Sequence, residues 1–158
     1  MTETATTEVR LPDDRPPDWA NSLMKWALTT RGIQSMVGKG VALLTFTGRR
    51  SGKTYTIPVS YHREDDIVTV ITKRQRSWWH NFENPAEVGL RLAGRTYTGK
   101  AEIVIDDTET LEFMIGYLEK RPIDAKAYGL GKDEITREKV GAILPHIVVI
   151  RIRVIPVD

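Results

Sequence analysis

From about residue 41 onward, apolar residues fall into short clusters of strand length, separated by turns rich in glycine and charge. Val41–Thr47 is one continuous apolar run. Tyr55–His62 is crowded with β-branched and aromatic residues, which suit a pleated surface. Pro58 lies inside this run, and its missing N–H places it at a sheet edge or bulge. Ile67–Thr72 (IVTVIT) follows the turn Glu64-Asp65-Asp66. Val88–Leu92 and Thr96–Ile105 form a further hairpin around Ala93-Gly94-Arg95. His146–Ile155 closes the chain as a long strand that alternates only in its second half.

Helical spacing is rarer. Asp18–Thr30 places Trp19, Leu23 and Trp26 at helical intervals. Ser77–Asn84 predicts a short helix ended by Pro85. Asp107–Glu119 is the clearest helix, with Asp106 or Asp107 near the N-cap and Leu111, Met114, Ile115 and Leu118 on one face. Residues 121–132 are irregular, and Lys132–Ala142 predicts a second helix. About six strands joined mostly by hairpins, with few helices, define a mainly β (α+β) chain folded as an antiparallel barrel. Residues 1–17, rich in Thr, acids and proline, read as a flexible lead to a single domain over 18–158.

Composition narrows the chemistry. The 158 residues contain no cysteine, which excludes disulfides, thiolate metal sites and cysteine nucleophiles. No apolar run reaches the roughly 18 residues of a membrane span. The polar, acidic start does not resemble a secretory signal, so a cytoplasmic protein is expected. Peripheral membrane contact through the Trp-bearing segment 18–31 is the alternative to packing on the barrel. The net charge of +2 hides an uneven distribution. Residues 1–18 hold five acids and two bases, residues 45–100 ten bases and five acids, and residues 101–130 seven acids and three bases. No basic helix or nucleic-acid module accompanies the positive region, so a small polyanion is expected rather than nucleic acid.

The positive charge concentrates in Gly48-Arg49-Arg50-Ser51-Gly52-Lys53, between the first two strands. Like charges so close repel unless an anion sits nearby. The turn is not a nucleotide P-loop. That pattern needs four residues between its glycines and a helix after them. Here there are three, and a strand follows. A second cluster, Thr72-Lys73-Arg74-Gln75-Arg76, comes directly after a strand and runs into Trp78-Trp79-His80-Asn81. If strand pairing brings the clusters together, one anionic tail could touch both. The adjacent tryptophans would then stack on a flat ring; core packing is their other reading. The histidines His62, His80 and His146 lack metal-ligand spacing, no GxSxG elbow occurs, and Asp65-Asp66 and Asp106-Asp107 suit turn and cap roles.

The stretch Leu43–Lys53 with Ile57-Pro58-Val59, then Thr72-Lys73, then Trp78-Trp79-His80-Asn81-Phe82 and Asn84-Pro85, resembles the deazaflavin-dependent nitroreductase family over roughly residues 35–155. The resemblance implies a split β-barrel and binding of coenzyme F420, a flat deazaflavin carrying a phosphate and an oligoglutamate tail. It places Arg50 and Lys73 on the phosphate or tail, beside the other turn cations Arg49 and Lys53. Pro58, Val59 and Ser60 would present backbone to the ring, Thr72 would lie at its edge, and Trp78 and Trp79 would wall the pocket. Tyr128 is the candidate for a hydroxyl on the substrate side. Hydride would pass from the reduced cofactor to a quinone, an enone or a nitro-aromatic. Barrels of this type are often homodimers. Two departures stand out: Tyr55 occupies a position where the family usually has arginine, and the segment from Lys73 to Trp78 is shorter than usual. They keep two alternatives open, a lipid- or fatty-acid-binding barrel with lost redox activity and a barrel binding FMN or haem.

Overall fold

Three of the connections between successive strands are tight turns, and they build the wall of a barrel. The structure is a computed structural model that describes residues 40–157. The strands are β1 (Val41–Thr47), β2 (Thr54–Glu64), β3 (Ile67–Lys73), β4 (Ala86–Leu92), β5 (Arg95–Ile103) and β6 (Ile147–Pro156). They close in the order β1-β2-β3-β6-β5-β4, with every pairing antiparallel. The chain crosses from β3 to β4 through a 3₁₀ turn, Trp78–Phe82. It returns from β5 to β6 through helix α1 (Asp107–Lys120), 3₁₀ turns and helix α2 (Arg137–Ile143). The helix expected over 18–30 and the lead before it lie outside the described residues.

Local chemistry sets where the helices begin. The Asp106 side chain accepts from the Glu109 N–H at 2.8 Å, satisfying one of the free donors at the start of α1. The second helix is shorter than its spacing suggested. Lys132–Glu134 forms a separate 3₁₀ turn, and Thr136 caps α2 by accepting from the Lys139 N–H at 3.2 Å. The cap fixes an extended backbone at Thr136 and breaks the predicted helix in two. The irregular segment after α1 contains one more 3₁₀ turn, Pro122–Tyr128.

Strand β6 explains its own mixed pattern. Val148, Ile150, Ile152 and Val154 point into the barrel core with Leu44, Phe46, Val70, Phe82 and Leu90. On the other face, Ile147 and Val149 pack against Met114, Leu118, Val140 and Ile143 of the two helices. The run is therefore apolar on both faces where the helices cover it. Further along the strand the outward positions become Arg151, hydrogen-bonded to Glu109 in the first turn of α1, and Arg153, bonded to Asp66 at 2.8 Å. Burying an aliphatic side chain stabilises by about 1.5–3 kcal/mol, so the covered half of β6 joins the helical layer firmly to the barrel.

The barrel is split on one side. β2 pairs with β3 only over Tyr61–Glu64 opposite Ile67–Val70. Ahead of Tyr61, β2 pairs with β1 alone, from Thr54 to Ser60. After Val70, β3 pairs only with β6, from Ile71 to Lys73. The two strands therefore diverge and leave a gap between them. Pro58 lies on this open flank, where its missing N–H removes no bond to β3, as expected of an edge proline.

Candidate functional site

The divergence of β2 and β3 forms a slot of about 200 Å³. One wall is Pro58, Val59 and Ser60, and the other is Val70 to Lys73. Arg76 and Trp78 close one end, and Ala127 and Tyr128 reach it from the 3₁₀ turn after α1. Seven of the eleven residues singled out from sequence thus meet in one cavity: Pro58, Val59, Ser60, Thr72, Lys73, Trp78 and Tyr128.

The deep wall is polar where a barrel interior would be apolar. Thr72 is 6% exposed and Lys73 7%. The Thr72 hydroxyl makes no hydrogen bond among the described residues. Burying a hydroxyl without a partner costs about 1–3 kcal/mol. A ligand atom at the slot's edge would remove that cost. A lysine this deep acts on an anion through a low-dielectric medium, where its attraction exceeds that of a surface charge several-fold.

A second cavity, an open groove of about 960 Å³, adjoins the slot, and Trp78 lines both. Its floor is aromatic and aliphatic: Phe46, Tyr55, Ile57 and Trp78. Phe46 lies 5.8 Å from the Tyr55 ring, roughly stacked, and 6.3 Å from Trp78. Its rim carries Arg49 and Arg50 from the basic turn. Gly48 and Gly52 form that turn, with the Gly52 N–H donating to the Gly48 carbonyl at 2.9 Å. A Cβ on Gly48 would stand 2.7 Å from Ser51 Oγ and 2.8 Å from the Tyr55 ring, so a larger residue would have to displace those side chains.

Asn81 ties the turn to the tryptophan. Its Oδ1 accepts from the Arg49 N–H at 2.9 Å, and its Nδ2 donates to the Trp78 carbonyl at 2.8 Å. One half-buried side chain thereby sets the distance between the basic hairpin and the ring that separates the two cavities. Glu83 adds a counter-charge. It accepts from Arg49 at 2.9 Å and is hydrogen-bonded to His80. The bond to His80, then the bond to Arg49, hold its carboxyl below the usual range. Arg49 is thus partly neutralised, whereas Arg50 makes no ion pair with a described residue.

Two residues expected in the site lie elsewhere. Trp79 walls neither cavity. It is 8% exposed in the barrel core, its Nε1 donates to the Arg74 carbonyl at 3.1 Å, and it stacks on His80 at 3.7 Å. The reason is the 3₁₀ turn, in which neighbouring residues point about 120° apart. Trp78 therefore faces the ligand space while Trp79 faces inward. Core packing holds for Trp79, and Trp78 lines both cavities while its ring also packs on the edge of the core. Lys53, exposed beside the start of β2, lines neither cavity. Arg76 was missed from the site. It belongs to the quoted basic cluster, but no sequence signal separates it from Arg74. Tyr55, Ile57 and Asn81 were also missed as cavity and scaffold residues. Among the described residues no helix is long and apolar enough to cross a membrane. The membrane-contact reading rests on residues 18–31, outside the described part; the lipid reading rests also on Tyr55, which lines the open groove, and on the short Lys73–Trp78 segment.

The chain is a split antiparallel barrel with a buried lysine in its slot and a basic rim on the adjoining groove. Residues 22–128 match the F420H(2)-dependent quinone reductase family, and the chain belongs to it. It is therefore an F420-dependent oxidoreductase. The search of curated proteins returns no match. Among solved structures, one described as a domain-swapped dimer is 18% identical, with 85% of this chain and 97% of that one covered and a TM-score of 0.53. An F420-H2 dependent reductase, FDR-A, is 18% identical over 72% of this chain and 94% of that one, with a TM-score of 0.48. HutZ, the heme storage protein from Vibrio cholerae, is 12% identical over 87% and 89%, with a TM-score of 0.49. At such identities the likeness is one of fold.

Coenzyme F420 fits the residues present. It needs a slot for a flat ring and cations for an anionic tail. The slot offers a buried lysine and an unpartnered hydroxyl, and the adjoining groove offers Arg49 and Arg50.

Proposed function

We propose that this chain is an F420H2-dependent reductase that transfers hydride to a quinone-type acceptor. One observation carries the reading: the slot between β2 and β3 has Lys73 and a Thr72 hydroxyl without a hydrogen bond among the described residues in its wall, and it shares Trp78 with the Arg49–Arg50 groove. When bound, reduced F420 supplies the hydride, and a proton from water or a side chain completes the conversion of quinone to quinol. The protein's part is to orient and to stabilise charge. Pro58, Val59 and Ser60 offer an apolar edge with backbone groups not committed to β3, against which a ring can lie. The Thr72 hydroxyl meets a polar atom at the ring's edge. Lys73 holds the phosphate, and Arg50 meets the tail from the rim. Trp78 sets the depth to which a ring enters. Tyr128, arriving from the helical layer, offers its hydroxyl to the acceptor.

The test is fluorescence titration with F420, followed by oxidation of F420H2 in the presence of quinone, enone and nitro-aromatic acceptors. Binding at micromolar cofactor and preference for the quinone are expected. A charge-assisted contact contributes about 1.5–3 kcal/mol, so Lys73→Ala should weaken binding about tenfold to a hundredfold. Arg50→Ala, at the exposed rim, should cost under about 1 kcal/mol. Absence of binding at tens of micromolar cofactor would reject the proposal.

A further inference from the structure

We propose that Tyr117 is a positioning residue for the reaction: through Asp124 it sets where the Tyr128 hydroxyl stands in the slot; the assignment rests on the reductase reading above. Tyr117 lies in the last turns of α1 and bridges two parts of the site that are distant in sequence. On one side its ring meets His62 edge-on at 5.7 Å. Phe113 completes the cluster, stacked on Tyr117 and edge-on to His62, each at 6.0 Å. His62 follows Ser60 by two residues on β2, so the two side chains share one face of the strand. Tyr117 therefore rests on β2 where the slot wall of Pro58, Val59 and Ser60 ends. On the other side its hydroxyl donates to Asp124 Oδ2 at 2.6 Å, and Arg121 Nε pairs with the same oxygen at 2.9 Å. Asp124 belongs to the 3₁₀ turn Pro122–Tyr128, whose last two residues, Ala127 and Tyr128, line the slot.

The geometry of that turn carries the clamp to the slot. Side chains three apart eclipse in a 3₁₀ helix. Asp124 therefore shares a face with Ala127, and Ala125 shares a face with Tyr128. Ala125 is fully buried in the helical layer, and Asp124 is tied to Tyr117. Both anchors act one turn before the residues that meet the ligand space. Gly129, at φ +76°, ends the turn, and the Leu130 N–H closes on the Ala125 carbonyl at 3.0 Å. The hydrogen bonds of a 3₁₀ turn are poorly aligned, so its place depends on such anchors. Burial, then the bond to Asp124 and in smaller part the neighbouring Tyr128, raise the pKa of the Tyr117 hydroxyl and keep it a donor to the carboxylate. A reacting group misplaced by about 1 Å can cost roughly a hundredfold in rate. A turn freed from Tyr117 therefore slows the step at the acceptor, whereas the cofactor contacts on β2, β3 and the hairpin stay in place.

The test is steady-state oxidation of F420H2 by a water-soluble benzoquinone with the full chain, alongside fluorescence titration with F420. Tyr117→Phe keeps the ring contacts with His62 and Phe113 and removes only the bond to Asp124. Its kcat should fall roughly tenfold, with F420 affinity within about twofold of the parent. Asp124→Ala should match it, whereas Asp124→Asn, which still accepts from the Tyr117 hydroxyl, should recover most of the rate. Tyr117→Phe combined with Tyr128→Phe should be no slower than Tyr128→Phe alone, because the clamp acts only through that hydroxyl. Rate losses that multiply in the double variant would make Tyr117 a structural residue and overturn the assignment. So would an F420 affinity that falls in step with kcat, or a kcat unchanged in Tyr117→Phe. Failure of the unmodified protein to bind F420 or to oxidise F420H2 would instead overturn the reductase reading, and the assignment with it.

Discussion

Asn81→Ala is the sharpest single test of how the site is assembled. Asn81 makes two bonds that no neighbouring residue duplicates, accepting from the Arg49 N–H at 2.9 Å and donating to the Trp78 carbonyl at 2.8 Å. Each such bond contributes about 0.5–1.5 kcal/mol net. The Arg49 end is exposed and falls low in that range; the Trp78 end is half-buried and falls higher. The expected loss is therefore about 1–3 kcal/mol, or roughly 3–10 °C in Tm for a domain of this size. The larger consequence concerns the ligand. Without Asn81 the basic hairpin and Trp78 move independently, and binding must then also order them. F420 affinity should fall roughly tenfold, beyond any effect of charge, because no charge is removed. Asn81→Asp separates the two bonds: it still accepts from the Arg49 N–H but sets a carboxylate oxygen against the Trp78 carbonyl. Its loss of stability should approach that of Asn81→Ala, while the hairpin stays attached. Thermal denaturation by circular dichroism and cofactor titration read the two effects. An Asn81→Ala protein with Tm within about 1 °C of the parent and unchanged affinity would refute the coupling.

Three further outcomes are expected. Glu83→Gln removes the counter-charge beside Arg49 and His80, so F420 binding should tighten roughly two- to fivefold at low salt and lose this gain near 1 M salt; a salt-independent change would contradict the electrostatic cause. Tyr117 donates its hydroxyl to Asp124 at 2.6 Å, and burial, with Asp124, raises its pKa well above the usual 10. The protonated form is thus favoured in the folded state, so this stability is complete below pH 10 and is lost as pH rises further. Tyr117→Phe should accordingly show a shallower alkaline decline in denaturant midpoint than the parent. Phe82, 1% exposed and edge-on to Phe46 at 5.5 Å, should cost about 3–5 kcal/mol when replaced by Ala, measured by urea unfolding; a cost below about 1 kcal/mol would mean the barrel refills the cavity.

Much of the barrel was legible because its information is local. β-Branched runs of strand length, the aspartate- and glycine-bearing turns between them and the Asp106 cap act over a few residues, and the elements formed close to where the pattern placed them. Even the change in β6 from continuous to alternating hydrophobicity was visible as a pattern, although its cause, helices covering only half the strand, was not. The second helix was misjudged as continuous because Thr136 capping competes with helical spacing and wins at one residue.

The site divides in the same way. The sequence by itself determined which residue types were available: two basic clusters, a tryptophan pair and a proline-bearing strand, in an order that resembles one family. It could not determine which way each side chain points. Arg74 and Arg76 are chemically alike and two residues apart, and only the turn closed by the Lys73 carbonyl sends one outward to the Pro145 and Ile147 carbonyls and the other to the slot. Trp78 and Trp79 are identical neighbours, and the 3₁₀ geometry places one in the walls of both cavities and the other in the core. The slot itself exists because β2 and β3 part after four paired positions. Strand divergence is a property of the closed barrel's register, set by contacts among distant strands, and no local run of residues encodes it.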